Sequence, residues 1–188
     1  MSWYRSRRFI RTNKAGQQVS ALDFYAQVAT SGDVLGAGIG TNPGGWEAAV
    51  GPDFLDVPGG GLPRRDYGLV EINFSPDQQG LQGQMSCFGF GVKPQRLLYD
   101  LSSSTVPLPL SRKYGEFAPR LPFEELRAAI LSLGHTVELE ETSRDMHRYR
   151  VSESVARIDV VLDPDPYGSG ATDPDGHQVG DVWSISLW

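Results

Sequence analysis

Apolar and polar residues alternate most clearly over residues 67–74, where Val70, Ile72 and Phe74 fall on one side and Leu69, Glu71 and Asn73 on the other. A period of two is the pattern of a strand with one buried face. The same reading predicts a strand over 84–92, with Phe88, Phe90 and Val92 alternating with Cys87, Gly89 and Gly91. It predicts two more over 155–162 (Ala156, Ile158, Val160, Leu162) and 181–188 (Trp183, Ile185, Leu187). Segments 137–141 and 147–151 flank the polar stretch 142–145 and read as a hairpin.

Helical spacing occupies three segments. Ser20 followed three residues on by Asp23 makes a capping box with the shorter acid, and Leu22, Tyr25, Ala26 and Ala29 share one face, predicting a helix. A strand over 24–29 is the alternative pattern. Thr41 or Asn42 can cap a second helix that starts at Pro43, carries Trp46, Ala49 and Val50 on one side, and stops at Gly51-Pro52. The third is the best defined: Pro122 in its first turn, Glu124 and Glu125 at its positive end, Phe123, Leu126, Ile130 and Leu133 on one face, and Gly134 as its C-cap. Gly36, Gly38 and Gly40 mark a tight turn; their spacing is not that of a dinucleotide-binding loop, because the third glycine comes one residue early.

These elements give an α+β chain of short helices packed on antiparallel sheets, arranged as two helix-plus-sheet halves at 20–98 and 121–188. The serine- and proline-bearing stretch 99–120 reads as a connector, and one continuous domain is the alternative division. A length of 188 residues accommodates either. The 22 glycines and 13 prolines, scattered evenly, favour many turns between short elements. No apolar run approaches the roughly 20 residues of a membrane span.

The one cysteine, Cys87, can form neither an intramolecular disulfide nor a thiolate cluster, so the expected location is cytoplasmic. Arg7-Arg8 resembles a twin-arginine signal, but the apolar region such a signal needs is replaced by polar residues 12–18.

Charge is unevenly distributed. Residues 1–20 carry five bases and no acid, while 121–188 carry thirteen acids against five bases, a balance of −8 within a chain of net charge −6. The basic arm, with Trp3, Tyr4 and Phe9, has a composition that can touch nucleic acid, but a frayed terminus is the simpler reading. The acidic second half argues against a polyphosphate partner and for a basic one. The most suggestive polar cluster of this half is loop 163–177, with Asp163, Asp165, Tyr167, Asp173, Asp175 and His177. Carboxylates two apart before a glycine can also gather calcium, but Tyr167 and Pro174 stand where an EF-hand loop wants oxygen ligands, and no helix flanks the loop. His135, His147 and His177 have no metal-ligand spacing and read as surface or strand-end residues. No nucleophile–base pair is evident, so no catalytic residue, metal site or cofactor is assigned.

One stretch has a recognisable likeness. Trp46-Glu47-Ala48-Ala49-Val50-Gly51-Pro52-Asp53-Phe54-Leu55-Asp56, Arg64-Arg65-Asp66-Tyr67-Gly68-Leu69-Val70-Glu71-Ile72-Asn73-Phe74 and Phe90-Gly91-Val92-Lys93-Pro94-Gln95-Arg96-Leu97 together resemble small actinobacterial proteins encoded beside polymorphic toxins and taken to be immunity proteins. The likeness covers about residues 33–98, and departs from the family pattern where Gln95 replaces an expected histidine. It implies a non-enzymatic protein that binds and neutralises a cognate, basic toxin, with no nucleic acid and no membrane as partner. The expected partner face is Asp163, Asp165, Tyr167, Asp173, Asp175 and His177. A calcium- or small-ligand-binding module and an enzyme of another kind are the competing classes.

Overall fold

The computed structural model describes residues 19–57, 62–76, 84–99, 105–168, 173 and 175–188. The basic arm with its twin-arginine likeness, the glycines at 59–61, the turn region before 84 and part of the 163–177 loop lie outside them.

In chain order the elements are α1 (Ala21–Ser31), β1 (Asp33–Val34), β2 (Ala37–Gly38), α2 (Pro43–Val50), β3 (Leu55–Val57), β4 (Arg64–Asp66), β5 (Val70–Pro76) and β6 (Met85–Val92). The chain continues through α3 (Arg96–Tyr99), α4 (Leu108–Tyr114), α5 (Phe123–Ser132), β7 (Val137–Thr142), β8 (Met146–Val151), β9 (Arg157–Val161) and β10 (Val182–Leu187). The fold is α+β: β1 and β2 form a two-stranded ribbon, and the other strands form one antiparallel sheet in the order β3-β4-β5-β6-β10-β9-β8-β7.

Local chemistry accounts for the helix starts. The Ser20 hydroxyl accepts from the Asp23 amide at 3.3 Å while the Asp23 carboxylate accepts from the Ser20 amide at 2.7 Å, so two amides that would otherwise lack partners are satisfied and 24–29 is helix. Asn42 caps α2 through the Gly45 amide at 2.8 Å, with Pro43 opening the helix. Pro122 sits one residue before α5 as its N-cap.

Sheet pairing carries the core from one half of the chain into the other. Val70 faces Val92, Val92 faces Ile185, and Ile185 faces Ile158, so buried side chains run across β5, β6, β10 and β9 in one row. The next row is Ile72, Phe90 and Leu187. Phe24, Val28, Trp46, Leu110, Leu126 and Ile130 belong to the same buried cluster. The stretch 105–120 contributes to it through Leu110 and Tyr114 of α4, and the Tyr114 hydroxyl donates to Gln27 of α1 at 2.8 Å.

The residues that alternate with this core carry charge. Arg148 pairs with Asp159 at 2.8 Å, Arg157 with Glu140 at 2.8 Å, and the Ser184 hydroxyl donates to Asp159 at 2.9 Å. The part-buried pairs among these satisfy polar groups of this sheet face and contribute little net stability.

Two expected faces are corrected. The β5–β6 register shifts between Asn73 and Phe74, which turns Cys87 into the core opposite Phe74 and leaves Phe88 at the surface. Leu133 is the C-cap of α5, past the last helical turn, and is exposed. The tight turn expected from Gly36, Gly38 and Gly40 is present and joins β1 to β2, while β3 and β4 are short strands that no period in the sequence marks. Among the described residues, no helix is long and apolar enough to cross a membrane.

Candidate functional site

Antiparallel order brings the ends of β4, β6 and β9 together with the beginnings of β5, β8 and β10 at one edge of the sheet. Two neighbouring cavities open there, of about 780 and about 290 Å³, and both are lined by Tyr99 and Trp183. Tyr99 ends α3, the single turn that follows β6.

Trp183 arrives by a bulge. Val182 is opposite Val160 and Ser184 is opposite Asp159, so Trp183 is an extra residue in β10. The alternation that would put it with Ile185 and Leu187 is broken at that point, and its indole lines the two cavities, off the core. This corrects the expected Trp183-Ile185-Leu187 face.

The larger cavity carries a cation, Arg96, beside the acids Asp53 and Asp66. Arg96 bonds Asp66 at 2.8 Å, Glu71 at 2.9 Å and the Gly68 carbonyl at 2.6 Å. Glu71, nearly enclosed, also pairs with Arg64 at 3.3 Å. The Asp66 carboxylate accepts from the Gly68 amide at 2.8 Å, and the Thr105 carbonyl accepts from the Leu69 amide at 2.7 Å. The cluster locks the β4–β5 turn against α3. On the other face of β4, Arg65 bonds Asp56 at 3.0 Å and lies over the Phe54 ring at 3.9 Å from its centroid.

The smaller cavity differs. Its acidic lining comes from Asp145, Asp163, Asp165 and Asp173. The ion pairs of this half go to Glu124, Glu140, Glu141, Glu153, Asp159 and Asp181. Among the described residues, none engages Asp145, Asp163 or Asp173. Local donors hold these carboxylates instead: the Asp165 amide on Asp163 at 2.9 Å, the Asp175 amide on Asp173 at 2.9 Å, and the Ser143 hydroxyl on Asp145 at 3.0 Å.

The stem of the acidic loop is anchored at both ends. The Asp145 carbonyl accepts from the Leu162 amide at 2.8 Å and from the Asp163 amide at 3.2 Å. Asp181, whose side chain is 3% exposed, receives both Nε (2.7 Å) and a terminal nitrogen (2.9 Å) of Arg120 and the Gln178 amide at 2.8 Å. This bidentate pair raises the already high Arg120 pKa, chiefly through the hydrogen bond to Asp181.

His177 is 8% exposed, which corrects its expected surface position. Its ring lies 4.9 Å from that of Trp183 and 5.3 Å from that of Tyr99. Neither imidazole nitrogen makes a hydrogen bond of ordinary geometry. Burial pushes its pKa down and Arg120 adds to this, while Asp181 and the nearby Gln95 backbone oppose it. A neutral imidazole therefore lines the cavity beside carboxylates.

Of the expected partner-face residues, Asp163, Asp165, Asp173 and His177 come together around the smaller cavity. Tyr167 stands clear of it, 94% exposed, and Asp175 is exposed and lines neither cavity. Sequence reasoning missed Tyr99, Asp145 and Trp183. Asp145 sits in the correctly placed β7–β8 turn, whereas nothing in the local pattern marks Tyr99 or the bulge.

Burial pushes the Cys87 thiol up to about 11, leaving it protonated at neutral pH. Among the described residues, no group of three or more His, Cys, Asp or Glu side chains is placed to hold a metal ion. Compared with protein-family models, curated proteins and solved structures, the chain finds no match.

Proposed function

We propose that this chain is a non-enzymatic, cytoplasmic binding protein of the immunity type, which neutralises a cognate basic toxin by covering part of its surface with the acidic end of the sheet. The observation that supports this best is the contrast between the two cavities. Around Arg96 the charges are matched, whereas Asp145, Asp163 and Asp173 border an aromatic-walled cavity without a cation partner among the described residues. Uncompensated carboxylates at a rim create a field that attracts a basic surface and speeds encounter, while aromatic side chains supply contact area that water leaves on binding.

The test is co-expression with the product of the neighbouring gene, followed by affinity measurement. Capture of a basic toxin is expected, with affinity falling as ionic strength rises. The double variant D163K/D173K should bind about tenfold more weakly or worse while keeping its melting temperature. A neighbour without toxic activity, or affinity indifferent to these charge reversals, would remove the reading.

A further inference from the structure

We infer that the open edge of β7 receives an extended, lysine- or arginine-rich segment of the partner, which adds to the sheet as a further strand. That the partner is a toxin rests on the function proposed above; the edge itself rests on strand order, register and charge.

Strand order leaves two edges. β3 has three residues and β7 six, and among the described residues no strand lies beyond either. The β7 amides and carbonyls that face away from β8 have no sheet partner there, and such a row is a template for another extended chain. Length favours β7, because backbone bonds to an added strand grow in number with the residues paired.

Register shows the core running out at this edge. Val70, Val92, Ile185, Ile158, Tyr149 and Leu139 are successive cross-strand neighbours through β5, β6, β10, β9, β8 and β7, on the face that the helices cover. The first four are fully buried. Tyr149 is half-buried and packs on Phe123 of α5 with ring centroids 4.1 Å apart, and Leu139 is 55% exposed. One more strand would set an apolar side chain beside Leu139 and continue the row.

Charge selects the chain that fits. Residues 137–145 carry four acids, Glu138, Glu140, Glu141 and Asp145, against Arg144 alone. Glu140 is drawn inward by Arg157 of β9 at 2.8 Å and Glu141 by Arg148 of β8 at 3.3 Å, so neither is held across the backbone edge. Glu138 is exposed opposite Arg150 and makes no ion pair among the described residues.

A second copy of β7 laid antiparallel on this edge would bring the glutamates of both strands together, and like charges facing each other across a sheet destabilise the pair. Glu140 is also a bulge, the extra residue between the Leu139–Tyr149 and Glu141–Arg148 pairs, and its added twist opposes flat self-pairing. With lysine or arginine on the incoming strand the charge effect changes sign, so an edge that rejects its own kind accepts a basic one. Position agrees: Thr142 ends β7 and leads into the turn carrying Asp145, which lines the smaller cavity, so a partner seated on the acidic end of the sheet has this edge beside it.

The probe is a blocked hexapeptide, Lys-Thr-Lys-Val-Lys-Thr, titrated into the isotope-labelled full chain at low ionic strength and followed by amide NMR and hydrogen exchange. A peptide with glutamate in place of lysine, and one of the original charge with every inner amide N-methylated, serve as comparisons. The lysine peptide should shift the amide resonances of Val137–Thr142 saturably and slow exchange of those facing away from β8. The glutamate peptide should bind at least about tenfold more weakly, and the N-methylated one should lose both the exchange protection and most of the affinity. Leu139→Lys should weaken the lysine peptide about fivefold or more, whereas Leu55→Lys, at an exposed position on β3, should leave it unchanged.

Absence of any β7 shift in the wild-type chain overturns the inference. Equal binding by the N-methylated peptide does so too, since it would mean charge adhesion without strand addition. So does dimerisation of the wild-type chain that Leu139→Lys abolishes, which would make a second copy the occupant. Should Leu139→Lys unfold, the three peptides on the wild-type chain decide alone. Peptide binding at β7 without toxin capture would defeat the proposed function and keep the edge; toxin capture that leaves β7 exchange unchanged would do the reverse.

Discussion

At the scale of single residues, His177 is the group whose environment departs most from its sequence context. It follows Asp173, Asp175 and Gly176, company that suggests a solvated loop, yet tertiary contacts place it against Tyr99 and Trp183. Burial holds its pKa below the ordinary value of 6.5, so the unfolded chain binds a proton there that the folded chain resists. The resulting contribution to stability is complete above pH 6.5 and is lost as pH falls through the lower folded-state value. Between pH 7 and pH 5 the wild-type melting temperature should therefore fall further than that of H177F. Carboxylates common to the two proteins cancel in this comparison, and parallel curves would show that the ring is not desolvated in solution. Nothing in the loop's local pattern could have announced this, because burial of a loop residue is decided by what the rest of the chain lays over it.

Among the elements, turns divide into those legible from composition and those defined by a distant neighbour. Gly40 and Gly68 both have positive φ, +85° and +79°. A methyl group at Gly40 would meet nothing within 4 Å, whereas one at Gly68 would lie 2.5 Å from the Thr105 carbonyl oxygen. Gly40→Ala should cost about 1 kcal/mol, the conformational term alone. Gly68→Ala should cost about 3 kcal/mol, because backbone strain and a steric clash with backbone combine. Urea unfolding of the two variants measures the difference, and equal costs would mean that Thr105 does not pack on the β4–β5 turn. The capping box of α1, the Asn42–Pro43 start of α2 and the β7–β8 hairpin could be read directly, since each depends on residues within a few positions. The strands β3 and β4 could not: they are three residues each and take their conformation from pairing, β3 on β4 and β4 on β5, not from any period of their own.

Across the whole molecule, β10 joins the parts. It pairs with β6 on one side and β9 on the other, so the final strand of the chain lies near the middle of the sheet and the core passes through it. Unfolding should be a single cooperative event. The indole N–H signals of Trp46 and Trp183, followed in one sample by NMR, should be lost at the same urea midpoint, and Ile185→Ala, at a fully buried position, should lower the stability that both report by about 3 kcal/mol. Separate midpoints would show instead that the segments before and after 99–120 fold independently.

What the sequence by itself determined was the α+β class, the principal helices and longer strands, and the concentration of acidic residues in 163–175. These follow from short-range periodicity, capping and composition, which act over one or two turns of chain. Only the tertiary structure decided that Trp183 leaves the core at a bulge and that Tyr99, Asp145 and His177 share one cavity. It also decided that the acidic loop's stem is held by Arg120, 61 residues before Asp181. Such contacts depend on register and on which strand ends meet at one end of the sheet, and pairing between segments far apart in the chain, such as β6 and β10, leaves no trace in the local pattern of either.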